Sequence, residues 1–393
     1  MLNNRSSVNK MRYTKTNQGN VVYIRGQYYI VNNLTFKLLT MYYEKKQISE
    51  IAYELKIDEA EVQCLYQKIS DMLIEDQSYD EEIKFLQPLK VQWKITNRCN
   101  IQCKHCYEGE KCVEQLSDKQ IKSIFQQILD SNILSLTITG GEALLVNNLA
   151  EYVCQCLERG ILVNLFTNGI LLNNFIEQLG DVKNSNLLTF EVSVDGAQKE
   201  HDYIRGNGNY EKTITNIRYA IQKGYKIITN TVVNGITKNS LVYMMKELHA
   251  IGVTTIQLSN LMLKGWAKDH ENELFIDRNE LANVYEQISE NIDFDFYYAD
   301  ISNDIYHVEK KGEARKVGKN TWKCCAGDAR ITIDFNGDVL ICPQFPKYTL
   351  GNINELSLLE IWNNPLKKDY INYLRNLNKD RQTCFVYDVN FSQ

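Results

Sequence analysis

The alternation of apolar and polar positions divides the chain into three stretches of different rhythm. Residues 21–25 (VVYIR) and 28–32 (YYIVN) read as short strands around Gly26-Gln27 and predict a hairpin. Apolar residues at helical spacing then recur over 34–43, 48–55 and 58–72. The third of these opens on Asp58 with Glu61 three residues later, a capping-box-like start. A hairpin and three short helices suit a winged-helix module over residues 1–80. The charged stretch 78–90 (SYDEEIKFLQPLK) ends near a proline and predicts a linker, placed at 81–90.

From residue 91 the period changes. Strand-like runs at 91–96, 134–139, 161–167, 187–194, 225–233 and 253–259 alternate with helical patterns. These helices begin at Ser117, with Gln120 as a capping-box partner, and at Asn147, then cover 173–180, 209–223, 238–250 and 277–291. Strands that alternate with helices at this spacing build a parallel sheet. Gly, Asn, Asp and Cys fall repeatedly just past the strand ends, where barrel sites are built. The fold class expected is therefore α/β, a partial (β/α)6 TIM-like barrel over 91–292, favoured over a doubly wound sheet. Past 291 the rhythm breaks. KKGEARKVGK (310–319) reads as loop, and ITIDFNGDVLIC (331–342) as a hairpin turning at Asn336-Gly337. A helix over 355–363 and a polar helix ending before Cys384 complete a C-terminal extension over 293–393.

Composition changes this picture in what it excludes. With 393 residues, 44% hydrophobic and 24% charged, the chain can bury a sizeable core. Its net charge of −5 gives no sign of a nucleic-acid coat or an anionic membrane partner. No run of 18 apolar residues and no signal-peptide core is present, so a cytoplasmic location is expected. In that reducing compartment eleven cysteines point to metal binding or catalysis rather than disulfides. Cys64, Cys154 and Cys156 fall in helical patterns and read as core. Cys99, Cys103, Cys106 and Cys112 cluster after the first barrel strand; Cys324, Cys325, Cys342 and Cys384 lie in the extension.

CNIQCKHCY sets Cys99, Cys103 and Cys106 at C-x3-C-x2-C. Chance produces such a triple in about 1% of chains of this cysteine content. A structural zinc site wants four ligands in paired knuckles, whereas three thiolates on a 4Fe–4S cluster leave one iron open to a chelating small molecule.

This loop resembles that of the radical S-adenosylmethionine (SAM) enzymes. The resemblance implies a SAM-binding 4Fe–4S cluster on the three cysteines and a 5′-deoxyadenosyl radical as the oxidant. It also implies roles for segments at later strand ends. Gly140-Gly141-Glu142 would hold the methionyl amine, the glycines allowing close approach. Asn168 follows the third strand. Ser193 and Arg205, in SVDG and HDYIRG, would bind ribose and carboxylate, with Asp195 beside them. Tyr107 would face the adenine, and Gly265 would be a close-approach glycine near the adenosine. The extension resembles a shortened, twitch-like SPASM region, which implies one auxiliary iron–sulfur cluster, 4Fe–4S or 2Fe–2S, on Cys324, Cys325, Cys342 and Cys384. Residues 1–80 resemble the PqqD-like element that binds the leader of a ribosomally made precursor peptide at its hairpin edge. Asp58, Glu59, Glu61, Asp71 and Glu75 oppose phosphate contact by the third helix, against the DNA-binding alternative.

The function expected is therefore that of a peptide maturase working with a flavodoxin- or ferredoxin-type reductant. A thioether from a Cys sulfur to an α-carbon is the first expectation and carbon–carbon crosslinking the next. Epimerisation would need a thiol hydrogen donor, for which Cys112 is the nearest candidate. A radical enzyme with a non-peptide substrate and a zinc-binding regulator are the readings from other classes.

Overall fold

The computed structural model describes residues 12–63 except 17–18, 25–26, 32 and 44–45, then residue 66, and 87–376 except 112–114, 300–304, 309–313, 317–325, 328 and 344–347. The N-terminal region forms an antiparallel sheet of β1 (Arg12–Thr16), β2 (Gly19–Ile24) and β3 (Gln27–Val31), in that order. The hairpin read from sequence is β2–β3, paired from Ile24↔Gln27 outward. β1 carries too little apolar alternation to announce itself and forms by pairing along β2. Helices Asn33–Tyr43 and Ile48–Leu55 follow. Leu38, Leu39 and Met41 pack with Ile51, Ala52 and Val62 into a separate small core. The start of the third helix is as expected, the Glu61 N–H donating to Asp58 Oδ1. The rest of the expected helix, Cys64 and most of the linker lie outside the described residues.

The barrel strands appear within one or two residues of their expected places: β4 (Lys90–Thr96), β5 (Ser135–Gly140), β6 (Leu162–Thr167), β7 (Leu188–Ser193), β8 (Lys226–Val233) and β9 (Thr255–Asn260). All neighbours among them pair in parallel. β4 shows the cause of the layering. Val91, Trp93 and Ile95 are buried against helices, while Gln92 and Lys94 face the other side half-buried. The Ser117–Gln120 capping box starts the first helix as read.

The sheet departs from the expectation at both ends. A seventh parallel strand, β10 (Phe296–Ala299), pairs with β9, so the parallel sheet continues past 292. β11 (Ile305–Val308) and β12 (Ala314–Lys316) continue antiparallel, which corrects the reading of 310–319 as loop alone. At the other edge β13 (Arg330–Ile333) pairs in parallel with β4, from Arg330↔Lys90 to Ile333↔Trp93. It turns at Gly337, whose φ of +90° suits glycine, into β14 (Asp338–Leu340), and β15 (Thr349–Asn352) follows. The twelve strands run β12-β11-β10-β9-β8-β7-β6-β5-β4-β13-β14-β15, an open sheet among the described residues. Helix Leu358–Trp362 starts on a Ser357–Glu360 capping box inside the expected 355–363, and Leu366–Asn376 follows. Cys156 is fully buried, and Cys154 packs partly buried on the core, as read.

Candidate active site

The end of β4 delivers a loop, 97–109, that carries Cys99, Cys103 and Cys106. The loop is tied down from several sides. The Lys104 N–H donates to the Ile204 carbonyl at 3.0 Å, and the Trp266 N–H to the Cys106 carbonyl at 2.9 Å. Burial pushes the Cys99 thiol up and lifts Cys103 to about 11, with Arg205 opposing the rise at Cys103. Cys106 raises both, and Cys99 also raises Cys103, so these sulfurs lie close enough to feel one another's charge. Lys111 Nζ donates to Cys106 Sγ at 3.3 Å, and an Arg205 guanidinium nitrogen lies 3.8 Å from Cys103 Sγ. Three thiols on one loop, two of them met by cationic N–H donors, fit an iron–sulfur cluster; binding it replaces the thiol protons that burial otherwise retains.

The glycines after β5 are required, but by the chain itself. A Cβ on Gly141 would lie 2.2 Å from the Arg98 carbonyl oxygen, and one on Gly140 2.5 Å from that of Thr96. The Gly141 and Glu142 N–H groups donate to the Thr96 and Arg98 carbonyls, so this segment clamps the entry of the cysteine loop. Within the chain, close approach is thus made to the backbone of the cysteine loop. Glu142 is buried and accepts from the Leu144 N–H, the Thr167 hydroxyl and the Asn168 N–H. Burial raises its pKa and these donors oppose the rise. Asn168 donates from its side chain to Asn100 Oδ1 at 2.8 Å, joining the third strand end to the cysteine loop.

Ser193 closes β7, half-buried. Asp195 is fully buried and engaged by His105 Nε2 at 2.6 Å, by Arg205 Nε and by the Val232 N–H at 2.7 Å. Burial disfavours its charge, but the Arg205 guanidinium and His105 outweigh that and hold the carboxyl well below the usual range. In this structure it orients Arg205 and the cysteine loop. Arg205 ends helix Gln198–Arg205, which the sequence reading missed, and is buried beside Cys103. Gly265 has φ +55°, and a Cβ there would lie 2.5 Å from the Gly109 nitrogen. Its close approach within the chain is to the cysteine loop. Tyr107 is 42% exposed at the rim of the loop.

In the extension, Cys342 is buried directly after β14. Cys324, Cys325, Cys384 and the Cys112 candidate lie outside the described residues. Residues that sequence reading did not single out include His105, Asn100, Lys111 and Lys94. His105 sits between two cluster cysteines, a placement that could have drawn notice. Lys94 is a polar position on a strand and gave no signal, yet it pairs with Glu108 of the cysteine loop and Asp334 of the extension.

The comparisons agree with this geometry. Residues 93–248 match the family model described as the radical SAM superfamily, and 324–385 match that of an iron–sulfur cluster-binding domain, SPASM. A radical SAM domain works with a 4Fe–4S cluster and S-adenosylmethionine, and the second domain holds auxiliary iron–sulfur chemistry. Among similar proteins, the antilisterial bacteriocin subtilosin biosynthesis protein AlbA of Bacillus subtilis is 27% identical over 72% of this chain and 61% of its own length. The sporulation killing factor maturation protein SkfB of the same organism is 24% identical over 50% of this chain and 48% of its own. The chain thus spans about half to three-fifths of the length of these relatives. SuiB of Streptococcus suis, solved bound to S-adenosylmethionine, aligns over 98% of this chain and 94% of its own with a TM-score of 0.66 at 17% identity, which shows a shared fold.

Proposed function

We propose that this chain is a radical SAM enzyme that modifies a ribosomally made precursor peptide, forming a thioether between a Cys sulfur and an α-carbon. The observation that carries the reading is one constellation. Three thiols stand at the C-terminal end of β4, clamped by Gly140-Gly141-Glu142, Asn168 and Arg205, and the same strand pairs directly with the hairpin leading to Cys342. Cys99, Cys103 and Cys106 would hold the cluster, with Arg205 and Ser193 on the SAM side. Cys342 would contribute to the auxiliary cluster with Cys324, Cys325 and Cys384. When bound, the cluster and SAM supply a carbon radical able to take a hydrogen atom from an unactivated carbon. The chain's own part is to orient the partners and to keep water from the radical.

The peptide substrate is supported by relatives named for peptide maturation, by a solved SuiB bound to its precursor peptide SuiA, and by the N-terminal sheet and helices. In this reading residues 1–80 bind the leader by strand addition at the hairpin edge. A flavodoxin- or ferredoxin-type protein supplies the electron, in the cytoplasm. Among the described residues no helix is long and apolar enough to cross a membrane.

The test is anaerobic purification with iron and sulfide reconstitution, followed by reduction with SAM. Brown protein and 5′-deoxyadenosine are expected, and a co-expressed Cys-containing peptide should lose two hydrogens per crosslink by mass spectrometry. Full processing by a chain with Cys99, Cys103 and Cys106 all replaced by Ala would falsify the reading. An unchanged peptide mass with inverted stereochemistry would replace the crosslink by epimerisation.

A further inference from the structure

Two lysines at the cysteine loop each meet a carboxylate: Lys94 pairs with Glu108 and Asp334, and Lys104 with Glu273. A third, Lys111, does not. Its Nζ donates to Cys106 Sγ at 3.3 Å and stands 5.6 Å from the centre of the Trp266 ring. Among the described residues no carboxylate pairs with it. Burial is the main force raising the Cys99 thiol, and the Lys111 charge opposes that rise. One ammonium therefore acts on two of the three sulfurs.

Local structure holds it in place. The turn over 103–109 closes through the Cys106 N–H on the Cys103 carbonyl and the Gly109 N–H on the Cys106 carbonyl. From outside, the Trp266 N–H donates to the same Cys106 carbonyl, and Gly265 lets the two loops touch at Gly109. The indole that Lys111 approaches is thus anchored to the very residue whose sulfur the lysine meets.

A half-buried ammonium whose partners are a thiol and an aromatic face lacks a counter-charge. A cluster on three thiolates supplies one, being anionic and gaining a further negative charge on reduction. A cation beside it favours the reduced form, and hydrogen bonds to the sulfurs are among the levers that set such potentials. Arg205 reaches Cys103, but its charge is shared with buried Asp195. That leaves Lys111 as the cation at this loop with no anion of its own among the three thiols' donors.

We propose that Lys111 tunes the radical SAM cluster, its ammonium donating to the Cys106 sulfur and easing one-electron reduction. The lysine acts through a cluster ligand and binds neither SAM nor peptide. The inference rests on the cluster occupying Cys99, Cys103 and Cys106.

The experiment uses the full chain, reconstituted anaerobically with iron and sulfide. It is titrated with dithionite and mediators while electron paramagnetic resonance follows the reduced clusters. The signal that changes shape on adding SAM belongs to the cluster on the cysteine loop, and the auxiliary cluster's signal is the internal reference. Lys111→Met should disfavour reduction about tenfold, the size of one hydrogen bond from a charged group, which is about 59 mV lower for one electron. The reference signal should not move. Lys111→Arg should restore the potential, and Lys111→Gln, a donor without charge, should fall between. SAM affinity, read by equilibrium dialysis, should be unchanged in all three. An unmoved potential in Lys111→Met overturns the proposal. So does an equal shift of both signals, which reports a general loosening of the fold, or a tenfold loss of SAM affinity, which makes the lysine a cofactor contact. A wild-type chain with no SAM-sensitive signal removes the cluster reading beneath; a signal that no Lys111 variant shifts removes this proposal alone.

Discussion

At the residue scale the site depends on buried charges that answer one another. Asp195 holds Arg205 and His105, and Arg205 in turn reaches Cys103. Removing the carboxylate strands a buried guanidinium, so Asp195→Ala is expected to cost about 3–5 kcal/mol in denaturant unfolding and to lower bound iron. His201 lies behind this group, and its Nδ1 accepts from the Asp195 N–H at 3.2 Å. Burial lowers its pKa to about 4 from the ordinary 6.5, so it is neutral in the folded chain. The unfolded chain takes up that proton first. His201 therefore costs no stability above pH 6.5, and stability falls as pH drops from 6.5 towards 4, by about 1.4 kcal/mol per unit. Stability measured by urea unfolding from pH 7 to 4.5 should fall more steeply in the wild type than in His201→Asn; parallel profiles would remove the histidine from the explanation.

At the element scale, loops after strand ends are fixed by glycines that admit another backbone. Gly141 accepts the Arg98 carbonyl where a Cβ would stand, and Gly265 accepts Gly109 at a positive φ. Gly141→Ala and Gly265→Ala are each expected to destabilise by more than about 2 kcal/mol and to reduce iron per chain after reconstitution. Wild-type iron content in either variant would mean that the loop tolerates the shift. These positions show how much of the site the sequence carried. The C-x3-C-x2-C spacing and the turn residues after each strand were legible because the chemistry demands fixed residue types at short range. That the glycines serve packing of one loop on another was not legible, since Gly109 and Gly265 are distant in sequence. Helix Gln198–Arg205 was missed for a related reason: its strongly polar sequence hides the side on which His201, Ile204 and Arg205 are buried.

At the scale of the molecule, β4 is the shared element. It begins the parallel barrel on one side and receives the hairpin before Cys342 on the other, so two cysteine-bearing regions meet across one strand. The N-terminal sheet has its own core. A chain lacking residues 1–80 is therefore expected to keep its brown colour and its 5′-deoxyadenosine formation while losing processing of a leader-bearing peptide. Retained processing, read by mass spectrometry of the co-expressed peptide, would move leader binding elsewhere.

The sequence alone determined the βα rhythm, the strand positions and the thiol spacing. These follow from periodicity and from ligand chemistry acting within a few residues. Tertiary structure decided what no local pattern holds. It extended the sheet past residue 292 and set the hairpin beside β4. It made Asp195 the buried anchor of Arg205 and His105. Each of these outcomes depends on which distant segments share a hydrogen-bonded edge or a buried charge, and such pairing is resolved only when the whole chain competes for its partners.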